Sequence, residues 1–344
     1  MTRIAPSLIL VLVAAALCGC RQSPPDLVRA GDEFLREGNY AEAALNYRKA
    51  FQQDPTLGPA CLGAGRAEQA RERFREAYGF FSRAVELMPQ SVEAKAALAD
   101  LCLFVFAREN QRVQSLYERA VEVVDDLASL DPDGFDTLRL RGSIALLDRK
   151  PDQAVEFLDR ANQKKPGDLR VIAQLAQGWL TSGQPARAEK IALEAIEKNG
   201  SFGEMYDFIY AYYVSAGRTA DAEAILSRKV QNNPTNADYV IQLAGFHAAA
   251  GDDAKAAPIL QRLFDDPARF PDARLRVGDM YFRLRNPLRA AEQYEAGLKG
   301  DPERKGEYHK RLAGIYWAQG KRDEAVSHAR ASVEALPEDQ EARR

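Results

Sequence analysis

The sequence predicts an all-α fold, an α-solenoid in which about nine helical hairpins follow one another along the chain, and three observations predict it. Prolines recur at a fixed period: Pro55 and Pro89 are 34 residues apart, as are Pro132 and Pro166. Pro234 lies two periods beyond Pro166, Pro302 two beyond Pro234, and Pro337 follows at 35. With each of these prolines as position 32 of a 34-residue repeat, position 8 is small in eight of nine repeats: Gly31, Gly65, Ala99, Gly142, Ala176, Ala244, Gly278 and Ala313. Position 20 is alanine in eight: Ala43, Ala77, Ala154, Ala188, Ala222, Ala256, Ala290 and Ala325. The third observation is a turn slot. Gly38, Gly183, Gly217, Gly251 and Gly320 fall between two helical stretches, where a left-handed backbone is cheap only for glycine.

Each part of the hairpin has a physical reason. Small residues at positions 8 and 20 are expected on facing helices, where they let two backbones approach. Larger residues at positions 4, 7, 11 and 24 fill the surrounding space at helical spacing. Pro151, Pro185 and Pro287 share a slot just after the turn, suited to the first helical residue, whose N–H needs no partner. Each position-32 proline stops the second helix. One hairpin cannot bury its own apolar faces, so the repeats are expected to stack without an internal domain boundary.

Taken in order, the N-terminus stands apart. Arg3 is followed by Leu8–Leu17, ten residues of Leu, Ile, Val and Ala only, which is short for a bilayer span and ordinary for the core of a signal peptide. Among the repeats, the third is 43 residues long, and VEVVDDLASLDP predicts a lengthened second helix. It is either a tolerated insertion or a protruding contact edge. The sixth repeat has Tyr210 at position 8, so its hairpin is expected to open locally. In the seventh, Pro258 falls inside the second helix and predicts a kink, while Leu263 replaces alanine at position 27.

The stretch NYAEAALNYRKAFQQDP, Asn39 to Pro55, resembles the second helix of a tetratricopeptide repeat, and the spacings extend that resemblance from about Pro24 to Glu338. The resemblance implies a right-handed superhelix of antiparallel helix pairs whose first helices line a concave groove for a protein or peptide partner. Leu17-Cys18-Gly19-Cys20 resembles a bacterial lipobox, with Cys18 where Ala or Ser is usual. That resemblance implies a signal peptide over residues 1–19 and a lipidated Cys20 with a tether over 20–25, leaving the nine repeats to residues 26–340. An ordinary signal cut elsewhere or an uncleaved anchor are the alternatives. Arg21, where enteric-type sorting would place aspartate for inner-membrane retention, points to the outer membrane, facing the periplasm.

Composition excludes several classes. The balance of 47 basic and 50 acidic residues, net charge −3, lacks the basic excess of a nucleic-acid binder. His247, His309 and His328 form no metal-ligand spacing, and Cys61 and Cys102 read as buried thiols or as one inter-repeat disulfide. GPACLGAGR, Gly58 to Arg66, lacks the strand and the GK[ST] of a phosphate loop. No catalytic, cofactor or metal site is expected. In the groove implied by the family, the basic candidates are Arg139, Arg170, Arg276, Lys310 and Arg311, without the Lys/Asn pattern of carboxylate-clamping members. Acids at position 2 (Glu93, Asp136, Glu204, Asp238, Asp272, Glu307) equally suit a first helical turn. Phe208 and Tyr212 are aromatic candidates, with core filling around Tyr210 as the other reading. Trp317, at groove position 12, is the last. The expected function is a membrane-tethered interaction scaffold or co-chaperone in envelope assembly or secretion. The alternatives are a glycan- or peptidoglycan-binding module and an enzyme with an unfamiliar site.

Overall fold

A computed structural model describes residues 22–108, 113–336 and 338, and the described residues form eighteen α-helices, one short 3-10 turn (Pro302–Arg304) and no strand. The chain divides into two compact units, Met1–Ala188 and Glu189–Arg344, at a point where the repeat pattern marks no boundary. In the N-terminal unit the hairpins are α1 (Pro24–Arg36) with α2 (Tyr40–Gln53), α3 (Gly58–Ala70) with α4 (Phe74–Leu87), α5 (Val92–Arg108) with α6 (Gln114–Leu130), and α7 (Phe135–Leu147) with α8 (Pro151–Lys164). α9 (Leu169–Thr181) follows, and α10 (Pro185–Lys198) spans the division. In the C-terminal unit the hairpins are α11 (Gly203–Ser215) with α12 (Thr219–Asn232), α13 (Ala237–Ala249) with α14 (Asp253–Phe264), α15 (Ala273–Arg283) with α16 (Pro287–Gly300), and α17 (Lys305–Ala318) with α18 (Arg322–Ala335).

The turn slot behaves as its chemistry requires. Gly38, Gly183, Gly217, Gly251 and Gly320 all have positive φ. The same slot in the second, fourth and eighth repeats is Glu72, Arg149 and Arg285, at φ of 58, 60 and 57°, so three hairpins accept the left-handed turn with a side chain that disfavours it. Pro151, Pro185 and Pro287 begin α8, α10 and α16, and the second helices end just before the ladder prolines.

The small residue at position 8 has a different partner from the one its spacing suggests. A Cβ at Gly31 would lie 2.7 Å from the Tyr47 ring, at Gly65 2.4 Å from Phe81, at Gly142 2.5 Å from Leu158 and at Gly278 2.2 Å from Tyr294. These are the position-24 residues. The hairpin is closed by a large side chain lying over a bare backbone, while the position-20 alanines are buried beside it. Core positions also admit charge: Glu68 at position 11 is fully buried with Arg48 at 2.6 Å and Arg71 at 3.1 Å, and Lys95 at position 4 reaches Asp126 at 3.1 Å.

One local expectation changes, and two others gain detail. The third repeat is lengthened in both helices, since α5 and α6 are each 17 residues against 13 and 14 in α7 and α8. α14, one helix of 12 residues, carries Pro258 inside it, with Leu263 buried in the alanine slot; Pro258 itself is exposed. Tyr210 is half-buried and meets Phe246 of the next repeat edge-on, ring centroids 6.2 Å apart, so it packs between hairpins. Gly58–Arg66, within α3, is helical and makes no loop.

Candidate functional site

Ion pairs link first helices of neighbouring hairpins within each unit: position 9 of one meets position 2, 5 or 6 of the next in three of them, and position 2 meets position 6 in the fourth. In the N-terminal unit Arg66 of α3 pairs with Glu93 of α5 at 2.5 Å. Arg139 of α7 donates two hydrogen bonds to Asp100 of α5, at 2.6 and 2.7 Å, and one to Asp136 at 2.8 Å. Burial opposes the charge on Arg139, but the two carboxylates more than offset it and hold the guanidinium protonated. Arg139 is only 6% exposed, so this candidate is a strut between helices rather than a group offered to a partner. Arg170 of α9 differs: it lies 3.9 Å from Asp100 and 4.0 Å from Asp168, with its side chain 67% exposed.

The C-terminal unit repeats the arrangement. Arg276 of α15 pairs with Asp238 of α13. Arg311 of α17 donates to Asp279 of α15 at 2.6 and 3.1 Å, and the same carboxylate accepts the Tyr294 hydroxyl at 2.7 Å. These two arginines are therefore also tied to their neighbours, each about 30% exposed. The position-2 acids thus serve both readings: Glu93, Asp136, Glu204, Asp238 and Glu307 sit in first helical turns, and four of them also meet an arginine. Lys310 sits half-buried on α17 beside Arg311.

The aromatic candidates are not brought together. Phe208 is half-buried on α11; Tyr212 stacks beside Tyr213 at 5.7 Å, with the Arg218 guanidinium 6.0 Å from its ring. Tyr206 and Tyr213 are core, as their positions require. Trp317 on α17 is 64% exposed, with Arg322 over its ring at 5.9 Å. Trp179 keeps a buried indole N–H for which no partner is found.

Sequence reasoning passed over Lys229. It occupies position 27, the alanine slot, and is 2% exposed; its ammonium donates to Asp207 at 2.6 Å and to Gln242 at 2.9 Å, and lies 4.1 Å from the centre of the Tyr239 ring. A lysine in an alanine slot was the available signal. Also unforeseen is the contact of His309 and His328, Nδ1 atoms 2.8 Å apart; burial lowers both imidazoles below the usual histidine range, and His309 adds to the effect on His328.

Cys61 and Cys102 are free, buried thiols, each pushed up by burial to about 11, so neither is a reactive thiolate at neutral pH. Among the described residues no group of three or more His, Cys, Asp or Glu is placed to hold a metal, and no helix is long and apolar enough to cross a membrane. Cys20 lies outside the described residues.

Comparisons with known proteins fit this architecture. Two tetratricopeptide repeat models match, one over residues 34–101 and 213–277, the other over 110–168 and 275–340. A tetratricopeptide repeat protein from Parabacteroides merdae superposes with a TM-score of 0.52 at 16% identity, covering 70% of this chain and 92% of that one. PilF of Pseudomonas aeruginosa is similar at 19% identity over 62% of this chain and 95% of its own, with a TM-score of 0.46. A human protein O-mannosyl-transferase, TMTC1, is 26% identical over 167 residues; that stretch is 48% of this chain, and the chain spans only 17% of the relative's length. The repeat models together cover most of both units, and the chain belongs to the tetratricopeptide repeat family.

Proposed function

We propose that this chain is a lipid-anchored scaffold of the bacterial envelope that holds a protein partner on the face of its first helices. Tetratricopeptide repeats imply a protein-interaction scaffold, and such folds are generally non-catalytic. The observation that carries the reading is the arginine–carboxylate ladder. It ties successive first helices together within each unit, so the face is preorganised and binding costs little ordering entropy. The anchor rests on residues 17–20, Leu-Cys-Gly-Cys, after the apolar run. Cys20 would carry the thioether lipid, and two acyl chains, at about 0.8 kcal/mol per buried CH₂, suffice where one is marginal. Arg21 supports an outer-membrane, periplasm-facing location. There the scaffold would serve assembly or secretion, as a co-chaperone for the segment it holds.

Labelled palmitate tests the anchor. Wild type and Cys18→Ser should incorporate label and partition into detergent, and Cys20→Ser should do neither. Labelling of Cys20→Ser at the wild-type level would remove the lipoprotein reading. Fractionation with inner-membrane markers alone would remove the outer-membrane one.

A further inference from the structure

The lengthened third repeat builds a feature that the regular repeat lacks. α5 continues a turn beyond the 13 residues of α3 and α7, carrying Ala107 and Arg108 past the point where those helices end. Ala107 and Phe104 of α5 line a cavity of about 380 Å³ with Leu103 and, from α7, Leu146 and Leu147. Phe104 is 44% exposed yet fixed: its ring lies 5.5 Å from that of Phe74, and the Arg108 guanidinium sits 5.7 Å from its centre and 5.9 Å from that of Phe74. Without the extra turn there would be no Arg108 to cover these rings.

The rest of the lining is polar: Gln69, Asp100, Ser143, Gln174 and Arg170. Its one carboxylate, Asp100, is already engaged by both terminal nitrogens of Arg139. Arg170 is the reverse case: its ion pairs are 3.9 and 4.0 Å long, and most of its side chain is exposed. A guanidinium has five N–H donors, so Arg170 keeps donors for an acceptor arriving from solvent. An apolar hollow with a neutralised acid and an under-used arginine is complementary to an apolar group joined to an anion.

We propose that this cavity is the docking site for a partner protein segment that carries a large apolar side chain with a carboxylate within a few residues of it. The apolar side chain enters against Phe104, Leu146 and Leu147, and the carboxylate meets Arg170 in a charge-assisted pair. This rests on the scaffold reading above and gives it a site and a ligand chemistry. The lengthened helix is then a recognition element, and selectivity arises because a basic segment would face Arg170 and Arg108 with no free acid to meet.

Fluorescence anisotropy on the full mature chain tests it with three labelled twelve-residue probes on one Gly/Ser backbone. The first carries a central Leu-Phe flanked by glutamates, the second replaces the glutamates with lysines, and the third replaces Leu-Phe with Ala-Ala. The first probe should bind at least about tenfold more tightly than the others. Phe104→Ala should weaken it about tenfold, and Arg170→Glu, a change at an exposed side chain, should transfer the preference to the lysine probe. Helical circular dichroism of each variant checks that it is folded. Failure of the glutamate probe to bind, or binding with the same preference in Arg170→Glu, overturns the proposal. In the latter case the chain still binds peptides elsewhere, and the scaffold reading survives the loss of this site.

Discussion

The two units solve one packing problem with different chemistry. At position 27, where a second helix meets its neighbours, the N-terminal unit uses alanine: Ala50, Ala84 and Ala161 are each fully buried. In the four hairpins α11–α18 of the C-terminal unit the same slot is Lys229, Leu263, Gly297 and Ser332, all four buried, while Ala195 of α10, just past the division, keeps the alanine. Each exception has its own compensation. Lys229 has Asp207, Gln242 and the Tyr239 ring; Ser332 donates to the Gly306 carbonyl at 2.9 Å; Gly297 leaves room for the Tyr308 ring, 2.3 Å from where a Cβ would stand. Leu263 packs into the apolar core of that unit. The spacing of the helices is thus kept by the period, and any side chain serves in the slot provided its polar atoms are partnered and its volume is matched.

The sharpest way to break this comparison is at Lys229. Asp207→Ala should cost about 3 kcal/mol of unfolding free energy, because it leaves a buried ammonium without its counter-charge. Lys229→Met, which removes the charge and fills the slot, should be neutral or stabilising. Urea unfolding of both variants measures the difference. Equal destabilisation by the two would mean that the lysine contributes through its hydrogen bonds specifically and that the slot is not interchangeable.

Most of the fold was legible because the repeat supplies the same evidence many times. The proline ladder, the position-20 alanines and the turn glycines each fix one part of the hairpin, and a miss in one repeat is corrected by its neighbours. What stayed hidden lies between repeats. Arg139 reads in sequence as a groove cation because the acid that ties it to the neighbouring hairpin, Asp100, is 39 residues away; only the geometry of adjacent first helices brings them together. The same holds for Arg276 with Asp238 and Arg311 with Asp279, 38 and 32 residues apart. Helix ends were the other weak point. The long α5 lacks a proline or glycine stop, so the excess of the third repeat read as a feature of α6 alone.

A smaller effect separates repeats with a glycine turn from those without one, and here each unit supplies a case. Arg149→Gly and Arg285→Gly should each raise stability by about 0.5–1 kcal/mol, since φ near 60° strains a residue with a Cβ and suits glycine. The reverse change, Gly183→Ala or Gly251→Ala, should lower it by a similar amount. Thermal melts resolve the sign, and stabilisation in neither arginine variant would show that something else holds those turns.

The most direct test of interchangeable, separately closed hairpins is to remove one. Deleting Gly58 to Ser91 excises the second repeat and joins Leu57 to Val92 in register. Because each hairpin contacts only its neighbours, the shortened chain should lose helical circular dichroism only in proportion to the residues removed and still unfold cooperatively. Collapse of helicity throughout the chain, or loss of the cooperative transition, would contradict the account.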